Sequence, residues 1–234
     1  MLALIGVELR VSDHTTLSRR GRTFAGRQPR VRASDGPLHL VLDSTGLELF
    51  GQGEWHMAKH GRGRRRWMKL HLGVDATTGE MVAHVLTDGH ADDAAQVPDL
   101  LRQPERAIAS LTADGAYDGD PVYQAAAARQ PSQPPDVIIP PRASAVLSTA
   151  DPNRESLRDR HVRLMGEHGR MAWQRMTGYG RRNAAETTMA RYKHLIGPRL
   201  HARNAATQAG EVALAVQVLN RMNREAKPVT IPRS

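Results

Sequence analysis

At 234 residues and 40% hydrophobic content, the chain is long enough for one sizeable core with at most a small appendage. No run of about twenty apolar residues occurs, residues 2–7 are too short an apolar stretch for a secretory core, and cysteine is absent, so a membrane span, an export signal, a disulfide framework and a thiolate metal site are all excluded as expectations, and a reducing compartment fits. Lys and Arg number 33 against 24 Asp and Glu, a net charge of +9, which makes a polyanion the natural partner, although Arg- and Ala-rich composition also fits a GC-rich genome.

Residues 1–36 are basic, dotted with Gly and Pro and nearly free of large apolar side chains. They read as a tail or linker with a short turn of helix opening near Ser12 or Asp13, both N-cap types. A core begins at "LHLVLDSTGLELF", residues 38–50, whose apolar and β-branched density predicts a buried strand ending in a turn at Gly46. The following "KHGRGRRRWMK", residues 59–69, holds six Lys or Arg in eleven positions. Next, "WMKLHLGVD" and "EMVAHVLTD", joined by "ATTG", predict a hairpin of two alternating strands. A helix over about 92–102, a strand "AIASLTAD", a helix over about 120–129 and a short strand "DVIIPP" complete an order of three strands, then helix, strand, helix, strand. That order predicts an α/β fold with a mixed sheet and helices packed on it. Residues 153–176 are helical in pattern and strongly charged, with a break at 167–169, and Gly178 and Gly180 punctuate the next stretch. A last helix is predicted over 211–226, with Val212, Ala215, Val218, Leu219 and Met222 at helical spacing, before a frayed tail "KPVTIPRS".

Three acids stand where core elements end. Asp43 interrupts the apolar strand "LVLDSTG", and a buried carboxylate needs a partner; the competing reading is a cap for the turn through "STG". Asp114 and Gly115 end the strand "IASLTA", again at the C-terminal edge of a strand, where ligands bind in mixed α/β sheets; a plain Asp-Gly turn is the alternative. Glu186 lies among bases in "YGRRNAAETTMARYK". If a helix runs unbroken from Tyr179, then Tyr179, Arg182, Glu186 and Lys193 project within an arc of about 60°. Ala185, Met189, Tyr192 and Ile196 then form an adjoining apolar face suited to the sheet. The competing reading is an Arg182–Glu186 surface pair, whose base-before-acid order is the less favourable one. Acids gathered at one sheet edge repel unless a cation neutralises them. Oxygen-only ligands point to Mg²⁺ or Mn²⁺, and two such ions would serve the attacking and leaving oxygens of a phosphoryl displacement.

These residues resemble the DDE transposases of bacterial insertion sequences, in the group named insertion sequence five. That family's helix signature of Tyr, two residues, Arg, three residues, Glu, six residues, Lys is met by Tyr179, Arg182, Glu186 and Lys193, and "LVLDSTGLELFGQGEW", "KHGRGRRRWMKLHLGVD", "LTDGHADDAAQVPDLL" and "ASLTADGAYD" resemble its other blocks in order. The resemblance implies an RNase H-like catalytic domain over residues 37–200, between a basic N-terminal segment, 1–36, and a C-terminal helix and tail, 201–234. It implies Asp43, Asp114 and Glu186 as catalytic and metal-binding acids for Mg²⁺ or Mn²⁺, two ions in number. It also implies DNA as partner, both the element's terminal inverted repeats and the target, a homo-oligomer in the synaptic complex, and a nucleoid-associated place in the bacterial cytoplasm. Tyr179, Arg182 and Lys193 are then contacts to the element's end. Lys59, Arg62, Arg64, Arg65, Arg66 and Lys69, set between two strands of the core, read as a further DNA-binding cluster, with a solvated charge run as the alternative. Relatives usually carry another helical region ahead of "VSDHTTLSRR", so a truncated copy, a misassigned start or one part of a split reading frame is expected. The alternative function is a catalytically silent DNA-binding remnant that interferes with a full-length transposase; a third is a host nuclease of the same fold.

Other features read more plainly. His56 and His60 stand at i and i+4 without a third ligand at metal spacing, and Asp88, Asp92 and Asp93 suit capping of the next helix better than metal binding. Trp55, Trp67 and Trp173 suit core packing or a surface anchor better than stacking on bases.

Overall fold

Leu38, Leu40 and Leu42 alternate along strand β1 (Leu38–Leu49) with Val41, Asp43 and Leu47, and that period of two decides what each face of the sheet meets. The computed structural model describes residues 14–24, 26–31, 36–50, 67–149 and 155–225. After helix α1 (His14–Arg22) and β1 come β2 (Trp67–Asp75), β3 (Met81–Asp88), α2 (Val97–Leu101), β4 (Ile108–Thr112), α3 (Asp120–Arg129), β5 (Asp136–Ile138), α4 (Leu157–Thr177), α5 (Asn183–Leu195), β6 (Arg199–Leu200) and α6 (Ala205–Glu225). The strands form one sheet in the order β3-β2-β1-β4-β5, with β6 added to β1. β1, β2 and β3 run antiparallel in turn, while β4 and β6 are parallel to β1 and β5 is parallel to β4. This is the strand order and sense of an RNase H-like fold, as expected.

Helices cover both faces. Leu38, Leu40 and Leu42 pack with Val97, Leu100, Val122 and Ala126 of α2 and α3. Val41, Leu47, Leu70, Leu72 and Val74 pack with Ala185, Met189 and Tyr192 of α5 and with Val212, Ala215, Val216 and Leu219 of α6. The predicted alternation of β2 is therefore absent: from Leu70 to Asp75 every residue is buried, because neither face of that strand meets water. Gly46 makes no turn. It lies inside β1, opposite Lys69, and a Cβ there would come 3.2 Å from the Trp67 ring. The last helix begins six residues ahead of the predicted start, at Ala205, and its buried side includes Val216 while Val218 and Met222 are exposed. The predicted break in α4 is real: Gly169 has φ 76°, inside a helix opened by a Ser156–Asp159 capping box.

Three side-chain amides substitute for peptide groups. Asn220 accepts from Met81 N and donates to Met81 O, both at 2.8 Å. Gln103 brackets His84 in the same way at 3.0 Å on both sides, and Gln130 brackets Ile108. Truncating Asn220, which is fully buried, would leave two backbone groups of β3 dry and unpaired; Asn220→Ala is expected to lower unfolding free energy by about 2–4 kcal/mol, measurable by urea denaturation.

The buried imidazoles predict a pH dependence. Burial lowers the pKa of His71 and His161 and takes His84 to about 4. An unfolded chain takes up protons near pH 6.5, which these folded groups resist, so stability falls as pH drops from about 6.5 towards 4. Asp159 adds a second loss at lower pH. Burial pushes its carboxyl up, but hydrogen bonds from Ser148 and Ser156 outweigh that and hold it at about 2, so its contribution disappears between about pH 3.8 and 2. Urea melts at pH 7, 5.5 and 4.5 should show the first decline.

Candidate active site

β1 has two edges, and β2 occupies one of them along its length. On the other edge β4 pairs only as far as Val41, and β6 begins only at Glu48. Asp43 lies in the interval between them, on the face that α5 covers. Two residues beyond the Val41–Thr112 pair on each strand come Asp43 and Asp114, so the parallel register sets the two acids side by side, just past the C-terminal end of β4 and midway along β1.

Both aspartates use one oxygen for the backbone and keep the other for the site. Asp43 Oδ1 accepts from Ser44 N at 2.9 Å, and Asp114 Oδ1 accepts from Ala116 N at 2.8 Å as the N-cap of the 3-10 turn Gly115–Tyr117. The turn-capping alternative is thus half of the answer for Asp114, whereas at Asp43 the strand runs straight on and there is no turn to cap. Their remaining oxygens face the Arg182 guanidinium, whose Nη2 is 3.3 Å from Asp43 Oδ2 and 3.9 Å from Asp114 Oδ2. Nη1 of the same side chain donates to Glu186 Oε1. Asp43, Asp114 and Glu186 are therefore gathered around a single cation.

The route to Glu186 differs from an unbroken helix. Gly178 closes α4 in a left-handed conformation, φ 69°, and a 3-10 turn Tyr179–Arg182 precedes α5. The apolar face of α5 is as expected at Ala185, Met189 and Tyr192, all buried, whereas Ile196 lies past the helix and is exposed. The Arg182–Glu186 pair exists, yet it is one arm of a larger cluster and no isolated surface pair.

Burial is the main cause that raises the Asp43 pKa; the nearby charges of Asp114 and Glu186 push the same way, and the Ser44 N–H and Arg182 oppose them. Side-chain exposure rises from 12% at Asp43 through 37% at Asp114 to 54% at Glu186. Below the acids, the Tyr117 hydroxyl is buried with no hydrogen-bond partner among the described residues, and burial together with Asp93, Asp43 and Asp114 pushes its pKa up.

Among the other expected site residues, Tyr179 rests its ring on Trp173, with centroids 5.2 Å apart. Trp173 is fully buried, as its core reading required, and its Nε1–H donates to His161 Nδ1 at 3.0 Å. His161 in turn contacts Val137 O through Nε2 at 2.7 Å, so Nε2 carries the proton. Lys193 is exposed, two turns along α5 from Glu186. Lys69 is half-buried, with its ammonium on Ala91 O at 2.9 Å and Asp93 Oδ2 at 3.4 Å. Trp67 is exposed. Lys59, Arg62, Arg64, Arg65 and Arg66, with Trp55, His56 and His60, lie outside the described residues.

Two groups went unseen in the sequence. Asp93 makes no side-chain cap; Asp92 caps through Ala95 N, and Asp88 accepts from His90 N. Asp93 turns inward instead, with Oδ1 3.1 Å from Nδ1 of the fully buried His71, whose Nε2 is 2.8 Å from Thr87 Oγ1. The available signal was Lys69 and His71, two polar residues sharing one face of an otherwise apolar strand. Tyr117 was the other, set three residues after Asp114.

The donors suit a hard divalent cation: three carboxylates, no sulfur and, among the described residues, Arg182 as the cation paired with all three. With the guanidinium in their midst, no three of His, Asp or Glu among the described residues are arranged to chelate one ion as they stand.

The family described as Transposase DDE domain matches residues 34–221, more than half of the chain, and a second family of the same description matches residues 1–52. Among solved structures the chain is similar to a cryo-EM structure of the piggyBac transposase synaptic complex with hairpin DNA, at 11% identity and a TM-score of 0.33, over 83% of this chain and 55% of that one. The chain thus spans about half the length of that protein.

Proposed function

The chain belongs to the Transposase DDE domain family, and from that premise we propose that it is a metal-dependent enzyme of DNA that cleaves at the ends of an insertion element and joins the freed 3′-hydroxyl to target DNA. One observation carries this reading. Three carboxylates from β1, the end of β4 and the start of α5 converge on one guanidinium at the end of the sheet.

In this reading Asp43, Asp114 and Glu186 hold Mg²⁺ or Mn²⁺, which when bound activates the attacking oxygen and stabilises the leaving one. The chain's own residues do the rest. Ser44 N and Ala116 N fix one oxygen of each aspartate, so the second oxygen is presented in a set direction. Arg182, Lys193 and the Tyr179 ring, seated on Trp173, hold the DNA end; Lys69 and the bases of 59–66, the latter outside the described residues, would add phosphate contacts. Each phosphate contact that one of these bases makes should contribute about 0.9 to the slope of log affinity against log salt. Copies of the chain would pair the two ends in a homo-oligomer. Among the described residues no helix is long and apolar enough to cross a membrane, in keeping with a partner such as nucleoid DNA.

The test is a joining assay with the purified chain, pre-cleaved element ends, Mg²⁺ and a plasmid target, beside Asp114→Asn. Joining that the variant lacks is the expected result. DNA binding without any metal-dependent chemistry would instead support the silent remnant, and cleavage without preference for inverted repeats a nuclease.

A further inference from the structure

Arg182 stands where a metal ion would have to stand. Resting on the metal-dependent reading of the site, we propose that Arg182 is a positioning residue that holds Asp43, Asp114 and Glu186 together until metal arrives and must leave for it to bind, so that metal replaces the guanidinium on the acids while DNA phosphate replaces the acids on the guanidinium.

Four observations lead there. Nη2 lies between Asp43 Oδ2 and Asp114 Oδ2, the two oxygens the backbone leaves free, and a cation using those oxygens cannot share them with the guanidinium. The arginine is also the acids' common partner: without it three carboxylates would face one another uncompensated, and with it a net charge of −2 remains, which still favours divalent ions. Its hold is incomplete, since the Arg182 Nε–H is buried with no acceptor among the described residues. Finally, Arg182 ends a one-turn 3-10 segment next to Gly178 and Gly180, and neither glycine has any neighbour within 4 Å of a Cβ position. The guanidinium thus keeps one donor unpaired and, at 21% side-chain exposure, a side open to solvent through which it can leave the acids.

A released guanidinium has an obvious destination. Its planar fork fits phosphate as it fits carboxylate, and the same side chain is among those expected to grip the DNA end. Phosphate that takes Arg182 frees the acids for metal, and metal that takes the acids frees Arg182 for phosphate. Thermodynamic linkage then requires DNA to tighten metal binding by the factor with which metal tightens DNA binding. Without DNA, the arginine would keep the chemistry poorly loaded.

The test is a calorimetric titration of Mn²⁺ into the full chain without DNA, for wild type, Arg182→Gln and Asp43→Asn, with thermal melts alongside. Arg182→Gln should bind Mn²⁺ about tenfold tighter than wild type, or more, while melting lower without metal and recovering with saturating Mn²⁺. A merely structural arginine would not move stability and metal affinity in opposite directions. Equal or weaker Mn²⁺ binding by Arg182→Gln, with binding lost in Asp43→Asn, overturns the proposal and leaves the metal site standing. Absence of Mn²⁺ binding in both wild type and Arg182→Gln overturns the metal site and this proposal together. Should Arg182→Gln fail to fold, Arg182→Lys, which keeps the charge but loses the fork, should bind Mn²⁺ more tightly than wild type; equality there overturns the proposal as well.

Discussion

Asp43→Asn should abolish metal-dependent joining, by about 10³-fold or more, and yet melt no lower than the parent at pH 7. The two halves have one cause. Asp43 is buried, and Asp114 and Glu186 crowd it with like charge, so that its pKa is raised in spite of Arg182 and the Ser44 N–H. A raised carboxyl pKa means that folding disfavours the charged form; the neutral amide keeps the acceptor for Ser44 N and removes that penalty. The sign also fixes the pH behaviour. The advantage of the variant is full at neutral pH and vanishes below the unfolded value near 3.8, where the parent's Asp43 is neutral as well. Melting curves at pH 7 and 3.5, with the joining assay, check both parts. Retained joining, or a variant much less stable at pH 7, would mean that Asp43 serves the fold and has no part in the chemistry.

Trp173→Ala carries the largest expected effect on stability, about 3–5 kcal/mol, as for other large buried aromatics. The ring is enclosed, and its N–H closes a chain of contacts from Val137 O through His161 to the support of Tyr179. Trp173→Phe separates the parts. It keeps an aromatic surface under Tyr179 but leaves His161 Nδ1 buried without its donor, at a cost of about 1–3 kcal/mol. Denaturant melts give the stabilities, and DNA binding measured well below the melting point reads Tyr179. If Trp173 positions Tyr179 for the DNA end, the Ala variant should weaken binding far more than Phe does; equal effects of the two would remove that role.

Local pattern carried much of the fold and little of the site's wiring. β1 and the β2–β3 hairpin could be read from apolar density between turn residues, and the buried side of α5 because burial imposes a helical period. Gly46 misled, since a glycine marks a turn and a close neighbour equally well, and the neighbour here is Trp67 from another strand. Val218 and Met222 misled because spacing alone does not say which part of an apolar helix is covered. Asp114 and Glu186 were legible as a strand-end and a helix-start carboxylate, and the family's helix signature ties Glu186 to the site; Asp43, read as a strand end, lies midway along β1. Arg182 as the acids' shared partner was not legible. Its contact to Asp43 spans 139 positions, and no local rule links residues that far apart. Asp92 and Asp93 offered two identical side chains for one cap, and only the buried His71 and Lys69 behind the loop decide between them. The amides of Asn220, Gln103 and Gln130 left no pattern, because a bracketing amide looks like any other polar residue on a helix or at its end.

Those amides have a consequence for how copies of the chain can associate. A sheet margin with free peptide groups is a template on which another strand can grow. Along β3 the positions at Met81 and His84 are already taken by Asn220 and Gln103. The opposite margin, β5, is three residues long between the proline pairs 134–135 and 140–141, and its Val137 carbonyl is taken by His161. Backbone pairing with another strand is thereby obstructed at two positions of β3 and at one of the short β5. Side chains on the helices and loops are then the more accessible surface for any complex of several copies.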